Sequence, residues 1–91
     1  MSPDAKPERL RNLGPKSQAW LAGLGIEDLA ALRRADAFQV YARLKAQGVP
    51  VSLNLLYALL GAQQDRDWRE VKREERSAIL LRLDDMGLAP R

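Results

Sequence analysis

The chain has 91 residues, of which 46% are hydrophobic, and it contains neither cysteine nor histidine. These absences exclude disulfides, thiolate zinc sites and acid–base catalysis by histidine. The formal net charge of +3 and the sequence pI of about 9.7 are compatible with nucleic acid as a partner. They are equally compatible with an ordinary surface that carries slightly more arginine than glutamate.

The composition predicts one small helical domain. A chain of this length is normally a single domain, and leucine and alanine dominate its apolar residues while threonine is absent. No secretory leader is visible, and no apolar run approaches the roughly 20 residues that span a bilayer. No phosphate loop or dinucleotide fingerprint is present, and no histidine is available to activate a serine. We therefore expect a cytoplasmic protein that is not an enzyme, with no cofactor, no metal, no small-molecule substrate and no membrane contact.

The first half of the chain predicts three short helices. Residues 1–7 are polar and proline-containing, so we expect a flexible tail, and residues 8–13 suggest a turn or short helix. Pro15 suits the first position of a helix that ends near Gly25. A second helix is predicted over 26–32, with acidic residues in its first turn. A third begins after the capping residue Asp36 and ends at Gly48.

The second half is organised around the most apolar run of the sequence. Ser52 is a suitable cap for a helix that is apolar on nearly every face, which predicts a central position in a bundle. A polar break is expected over 63–67 and a short anchored turn at Trp68 and Val71. The last helix is predicted from 72 or 73 to 86. The prediction is an all-α bundle of five to six helices over 8–87, with a second tail at 88–91.

One local motif suggests chemistry. The residues that follow Leu13 resemble the start of a helix-hairpin-helix element, in which a glycine turn leads into a helix whose first amides point at a DNA phosphate. Such contacts bind DNA without reading its sequence. The alternative is that the Gly14-Pro15 pair only starts a helix and that Lys16 is solvated. The candidate phosphate-binding residues are Gly14, Lys16, Ser17, Arg11 and Arg9.

Several motifs, taken in order, resemble one family. The ordered set is similar to the C-terminal domain of the TfoX/Sxy family of bacterial competence regulators, over roughly residues 8–83. The resemblance implies an all-helical domain with a helix-hairpin-helix-like start and a role, with the cAMP receptor protein, in transcription of DNA-uptake genes. Because 91 residues are too few for the family's α/β N-terminal domain as well, we expect a stand-alone domain. The motifs are Asn12-Leu13-Gly14-Pro15-Lys16-Ser17, Trp20-Leu21, Gly25-Ile26, Leu29, Tyr41, Leu44-Lys45, Gly48, Ser52-Leu53-Asn54-Leu55-Leu56-Tyr57-Ala58-Leu59, Gly61-Ala62 and Trp68.

Polar and aromatic residues within the helices have two interpretations. Asn54 is either a ligand contact or, as we expect, a buried amide that caps a neighbouring helix end. Tyr41, Tyr57, Trp68 and Trp20 are either stacking platforms for bases or, at this helical spacing among aliphatic residues, core residues. We expect the core role.

A basic stretch runs from the predicted polar break into the last predicted helix. Its cations alternate with acidic residues, which predicts a solvated helix face of mixed sign. The alternative is a surface that follows a phosphate backbone. The cations are Arg66, Arg69, Lys72, Arg73 and Arg76, and the acids are Asp65, Asp67, Glu70, Glu74 and Glu75.

Two functions remain open at this point. The first is a non-catalytic module of transcription regulation that binds double-stranded DNA through its phosphates. The alternative is a protein-interaction adaptor that docks on a transcription factor, RNA polymerase or itself. The adaptor predicts an exposed apolar patch of several hundred Å².

Overall fold

The computed structural model describes residues 13–88, which form five helices and, over this range, no strand. The predicted all-α architecture is confirmed. The residues predicted as tails, apart from residue 88, lie outside this range, as do residues 8–12 of the turn or helix predicted over 8–13. The helices are α1 (Pro15–Ala22), α2 (Leu29–Arg34), α3 (Ala37–Ala46), α4 (Leu53–Gln64) and α5 (Trp68–Asp85).

Helix α4 is the centre of the bundle, as the apolar run predicted. All eight residues from Leu55 to Ala62 are buried, and α2, α3 and α5 each pack on this helix. Tyr41 and Tyr57 are both buried in the core, so the expectation that they are core residues is confirmed. Trp20 and Trp68 are half-buried and pack against the outside of the same core.

Four of the five helices begin with a side-chain cap. Asp36 and Ser52 cap α3 and α4, as predicted, and Asp67 caps α5. The carboxylate of Asp28 accepts a hydrogen bond of 2.8 Å from the Ala31 amide. The predicted helix over 26–32 is therefore wrong at its start. Because Asp28 has an extended backbone at the cap position, it ends the turn and α2 begins at Leu29.

Three helix ends share a sequence pattern, leucine followed four residues later by glycine and then by an apolar residue. In each, the glycine has a positive φ and the amide of the apolar residue donates to the carbonyl of the leucine, which is the Schellman arrangement. Helix α4 ends in the same way with Asp65 in the left-handed position at φ 54°. The three bonds run from Ile26 to Leu21, from Val49 to Leu44 and from Leu88 to Leu83, at 2.9, 3.1 and 2.8 Å.

Helix α2 is closed by a side chain from another helix. Nε2 of Gln63 donates to the carbonyls of Leu32 and Ala35, at 2.8 Å each. The prediction that Asn54 is the buried amide which caps a neighbouring helix end is wrong, because Asn54 is exposed. The capping amide is Gln63, two and a half turns further along α4.

Helix α5 is continuous from Trp68. The separate turn predicted at Trp68 and Val71 is wrong, since the cap at Asp67 starts the helix there. Val71, Ile79 and Leu83 are its buried residues, and their spacing places them on one narrow face.

Candidate nucleic-acid interface

The backbone that enters α1 is fixed by a local hydrogen bond. Gly14 has an extended backbone, with φ −80° and ψ 174°, and Pro15 occupies the first helical position. Nε2 of Gln18 donates to the carbonyl of Leu13 at 2.9 Å. Leu13 is buried, so this bond ties the start of the helix to the core.

The N-terminus of α1 has no side-chain cap, unlike the other four described helices. The amides of the first helical turn have no acceptor within their own helix, and the helix dipole makes this end positive. Pro15 has no amide, so Lys16 and Ser17 provide the available donors. No acidic residue lies in this first turn. An anion therefore meets backbone donors and a lysine here, without a carboxylate to repel it.

Gly14 is exposed, and its backbone does not require glycine. Its φ is negative, and a methyl group added at its α-carbon would meet no atom within 4 Å. A methyl group at this position would not reach the first amides of α1, so the missing side chain is not what leaves them open. Whether an anion lies there stays a prediction.

The side chains of Lys16 and Ser17 point to neighbouring but different surroundings. The ammonium group of Lys16 lies 5.6 Å from the centroid of the Trp20 ring, within the range of a cation–π contact. Ser17 is half-buried and lines an open cleft of about 330 Å³ together with Trp20, Trp68 and Asn54. Arg9 and Arg11 lie outside the described residues. The structure thus brings Gly14, Lys16 and Ser17 together at one helix start.

The next helix start differs in charge and in capping. Helix α2 follows a glycine turn at Gly25, but Glu27 and Asp28 precede it and the Asp28 carboxylate already accepts from the Ala31 amide. A phosphate at that position would be repelled by two carboxylates. Of the two helix starts in this part of the chain, α1 is the one suited to an anion.

The fold pairs the acidic residues at the start of α5 with one arginine. Arg66, which precedes the helix, forms ion pairs with Glu70, Glu74 and Glu75, with nitrogen–oxygen distances of 4.0 Å to Glu70 and 2.8 Å to Glu74. The hydrogen bond that the Arg66 guanidinium donates to the Glu75 carboxylate is the main cause that raises the pKa of Arg66 above its ordinary value. Three of the acidic residues are therefore paired with one arginine.

The remaining cations of this stretch share one face. Counted from Arg69, the other three cations follow after three, four and seven residues, which places all four on one side of the helix. Together with Ser77 they line an open depression. All four are exposed, and within residues 13–88 none forms an ion pair. The four cations are solvated, as predicted, and the fold separates them from the acids that pair with Arg66. The cationic stripe consists of Arg69, Lys72, Arg73 and Arg76.

Comparison with known proteins identifies a family. A family model, the TfoX C-terminal domain, matches residues 5–83. This chain belongs to the TfoX C-terminal domain family. The resemblance predicted over 8–83 is confirmed, and the family is one of regulatory domains. Searches of curated proteins and of solved structures found no match.

Two further observations describe this TfoX C-terminal domain. Within residues 13–88 no group of three or more histidine, cysteine, aspartate or glutamate residues is placed to hold a metal ion. None of the five helices is long and apolar enough to cross a membrane.

Proposed function

We propose that this TfoX C-terminal domain is a DNA-associated module of competence regulation that holds duplex DNA by a backbone phosphate at the start of α1. The uncapped, basic N-terminus of α1 is the observation that carries the proposal. The amides of Lys16 and Ser17 would donate to the phosphate oxygens, and the ammonium group of Lys16 would supply the charge. Arg9 and Arg11 are proposed to join them from the preceding segment.

The proposed phosphate contact binds DNA without selecting a sequence. Backbone amides and a lysine recognise the phosphate, which is the same at every base pair. Binding is therefore expected to fall steeply with salt, because each neutralised phosphate releases condensed counterions. The proposal requires a compartment that contains DNA, which in a bacterium is the cytoplasm.

The adaptor alternative has less support. It predicts a large exposed apolar patch, whereas the one large apolar side chain that is exposed in residues 13–88 is Leu81. A single exposed leucine is ordinary for a protein surface.

An NMR titration of the labelled domain with a short DNA duplex tests the proposal directly. We expect shifts at the amides of Gly14, Lys16 and Ser17 that shrink as salt is raised. The turn at Glu27 and Asp28 provides an internal reference, because its amides lie at an acidic helix start and should not respond. Shifts that avoid α1 at low salt would show that the phosphate site is misplaced.

A charge reversal supplies the second test. Lys16→Glu is expected to weaken duplex binding at least tenfold, because it replaces an attraction with a repulsion at the phosphate. Lys45→Glu, on the exposed side of α3, changes the net charge equally and serves as the control. Far-ultraviolet circular dichroism would show that both variants are folded. Equal loss of affinity in the two variants would mean that only net charge matters.

A further inference from the structure

The cationic stripe of α5 has features of a binding surface that the proposed function does not use. Four cations follow one helix face from Arg69 to Arg76, a length of about 10 Å at 1.5 Å per residue. Ser77 adds a hydroxyl donor at the same depression. Over that length each strand of B-DNA presents about three phosphates.

The acidic side chains within the first turns of α5 pair with Arg66 and not with the stripe. The acids of the first three turns of α5 are Glu70, Glu74 and Glu75, and all three are paired with this one arginine. Arg66 is held in place by the end of α4, since its own amide donates to the Gly61 carbonyl at 2.8 Å. The fold thus concentrates the negative charge on one side of α5 and leaves the positive charge on another.

The stripe is also connected to the start of α1. The guanidinium of Arg69 lies 5.6 Å from the centroid of the Trp68 ring, as Lys16 lies over Trp20. Trp68 and Trp20 line the same cleft, in which Ser17 lies. The two indoles therefore line one open cleft, and each has a cation over its ring, Lys16 on the α1 side and Arg69 on the α5 side.

We infer that the α5 stripe is a second phosphate-binding surface, which holds the DNA backbone on the far side of this cleft from α1. The inference deepens the proposed function and rests on it for the identity of the polyanion. An anionic membrane is a poorer partner, since an interfacial helix buries large apolar side chains beside its cations. The exposed large apolar residue of α5 is Leu81, which lies beyond the stripe and on a different face.

A charge-matched pair of double variants tests the stripe. Arg73→Gln with Arg76→Gln is expected to weaken binding of a fluorescent 20-base-pair duplex at least tenfold in low salt. The slope of log affinity against log salt should become shallower by about 2, one for each lost phosphate contact. Arg43→Gln with Lys45→Gln removes the same charge from α3, and it should leave the slope unchanged.

The outcomes separate the stripe from the α1 site. Loss of affinity in the stripe variant with normal binding by Lys16→Glu supports the stripe and rejects the α1 phosphate. Normal duplex binding by the stripe variant, or an equal loss of affinity in the α3 control, overturns the proposal for the stripe, whatever the affinity of Lys16→Glu. Absence of duplex binding by the parent domain at low salt, or tighter binding to phosphatidylserine vesicles than to DNA, overturns it as well. Circular dichroism of each variant excludes unfolding as the cause.

Discussion

Helices α4 and α5 pack against each other but are held in place in opposite ways. Eight of the 12 residues of α4 are buried, so its position is determined by apolar contacts on nearly all sides. Only three of the 18 residues of α5 are buried, and ion pairs at Arg66 and Arg82 supplement that narrow face. The burial of α4 stabilises the fold, whereas the exposure of α5 leaves its charges available to a partner.

The largest expected difference between the two helices concerns leucine. Leu56→Ala removes a fully buried side chain from α4 and is expected to lower the free energy of unfolding by about 2–5 kcal/mol. Leu81→Ala on α5, where the side chain is 67% exposed, should change it by less than about 0.5 kcal/mol. Urea unfolding followed by circular dichroism measures both. Similar losses of unfolding free energy in the two variants would contradict the view that α4 is held by burial and α5 is not.

The next effect concerns the one side chain of α4 that closes another helix. Gln63→Ala leaves the carbonyls of Leu32 and Ala35 without this donor, at an expected cost of about 1–3 kcal/mol. Gln39→Ala on α3 removes the same group from an exposed position and should have little effect. Urea midpoints compare the pair. An unchanged urea midpoint in the Gln63 variant would show that water replaces the side-chain amide at both carbonyls.

The smallest effect compares the two N-terminal caps. The Asp67 carboxylate accepts from the Arg69 amide at 2.8 Å, whereas the Ser52 hydroxyl accepts from Leu55 at 3.4 Å. Asp67→Ala is therefore expected to cost about 1 kcal/mol and Ser52→Ala less than that. Thermal unfolding ranks the two. The reverse order would mean that α5 depends on its cap less than its narrow buried face suggests.

The sequence predicted the parts of the fold that depend on local pattern. The run after Ser52 was apolar on every face, and a helix of that kind is buried. The sequence pattern predicts Asp36 and Ser52 as caps, but it does not distinguish Asp28 or Asp67. Because a cap residue and a residue of the first turn favour the same side chains, the starts of α2 and α5 were misplaced.

The candidate interface was less predictable, because it depends on contacts between distant residues. Lys16 was found from its place after Gly-Pro, a local signal. The stripe was hidden because its cations alternate with acids along the chain, so the local charge is close to zero. Only the position of Arg66 shows that the acids are paired elsewhere. The choice between Asn54 and Gln63 as the capping amide also required the packing of α4 on α2.

The repeated helix endings have a consequence for how the chain folds. Each Schellman closure joins residues only five apart in sequence, as from Ile26 to Leu21, so it can form before any two helices meet. Contacts of such short range carry a low loop-closure cost and favour rapid folding. We therefore expect the C-terminal ends of α1, α3 and α5 to be set early in folding. The search that remains would then be for the arrangement of helices whose C-terminal ends are already fixed.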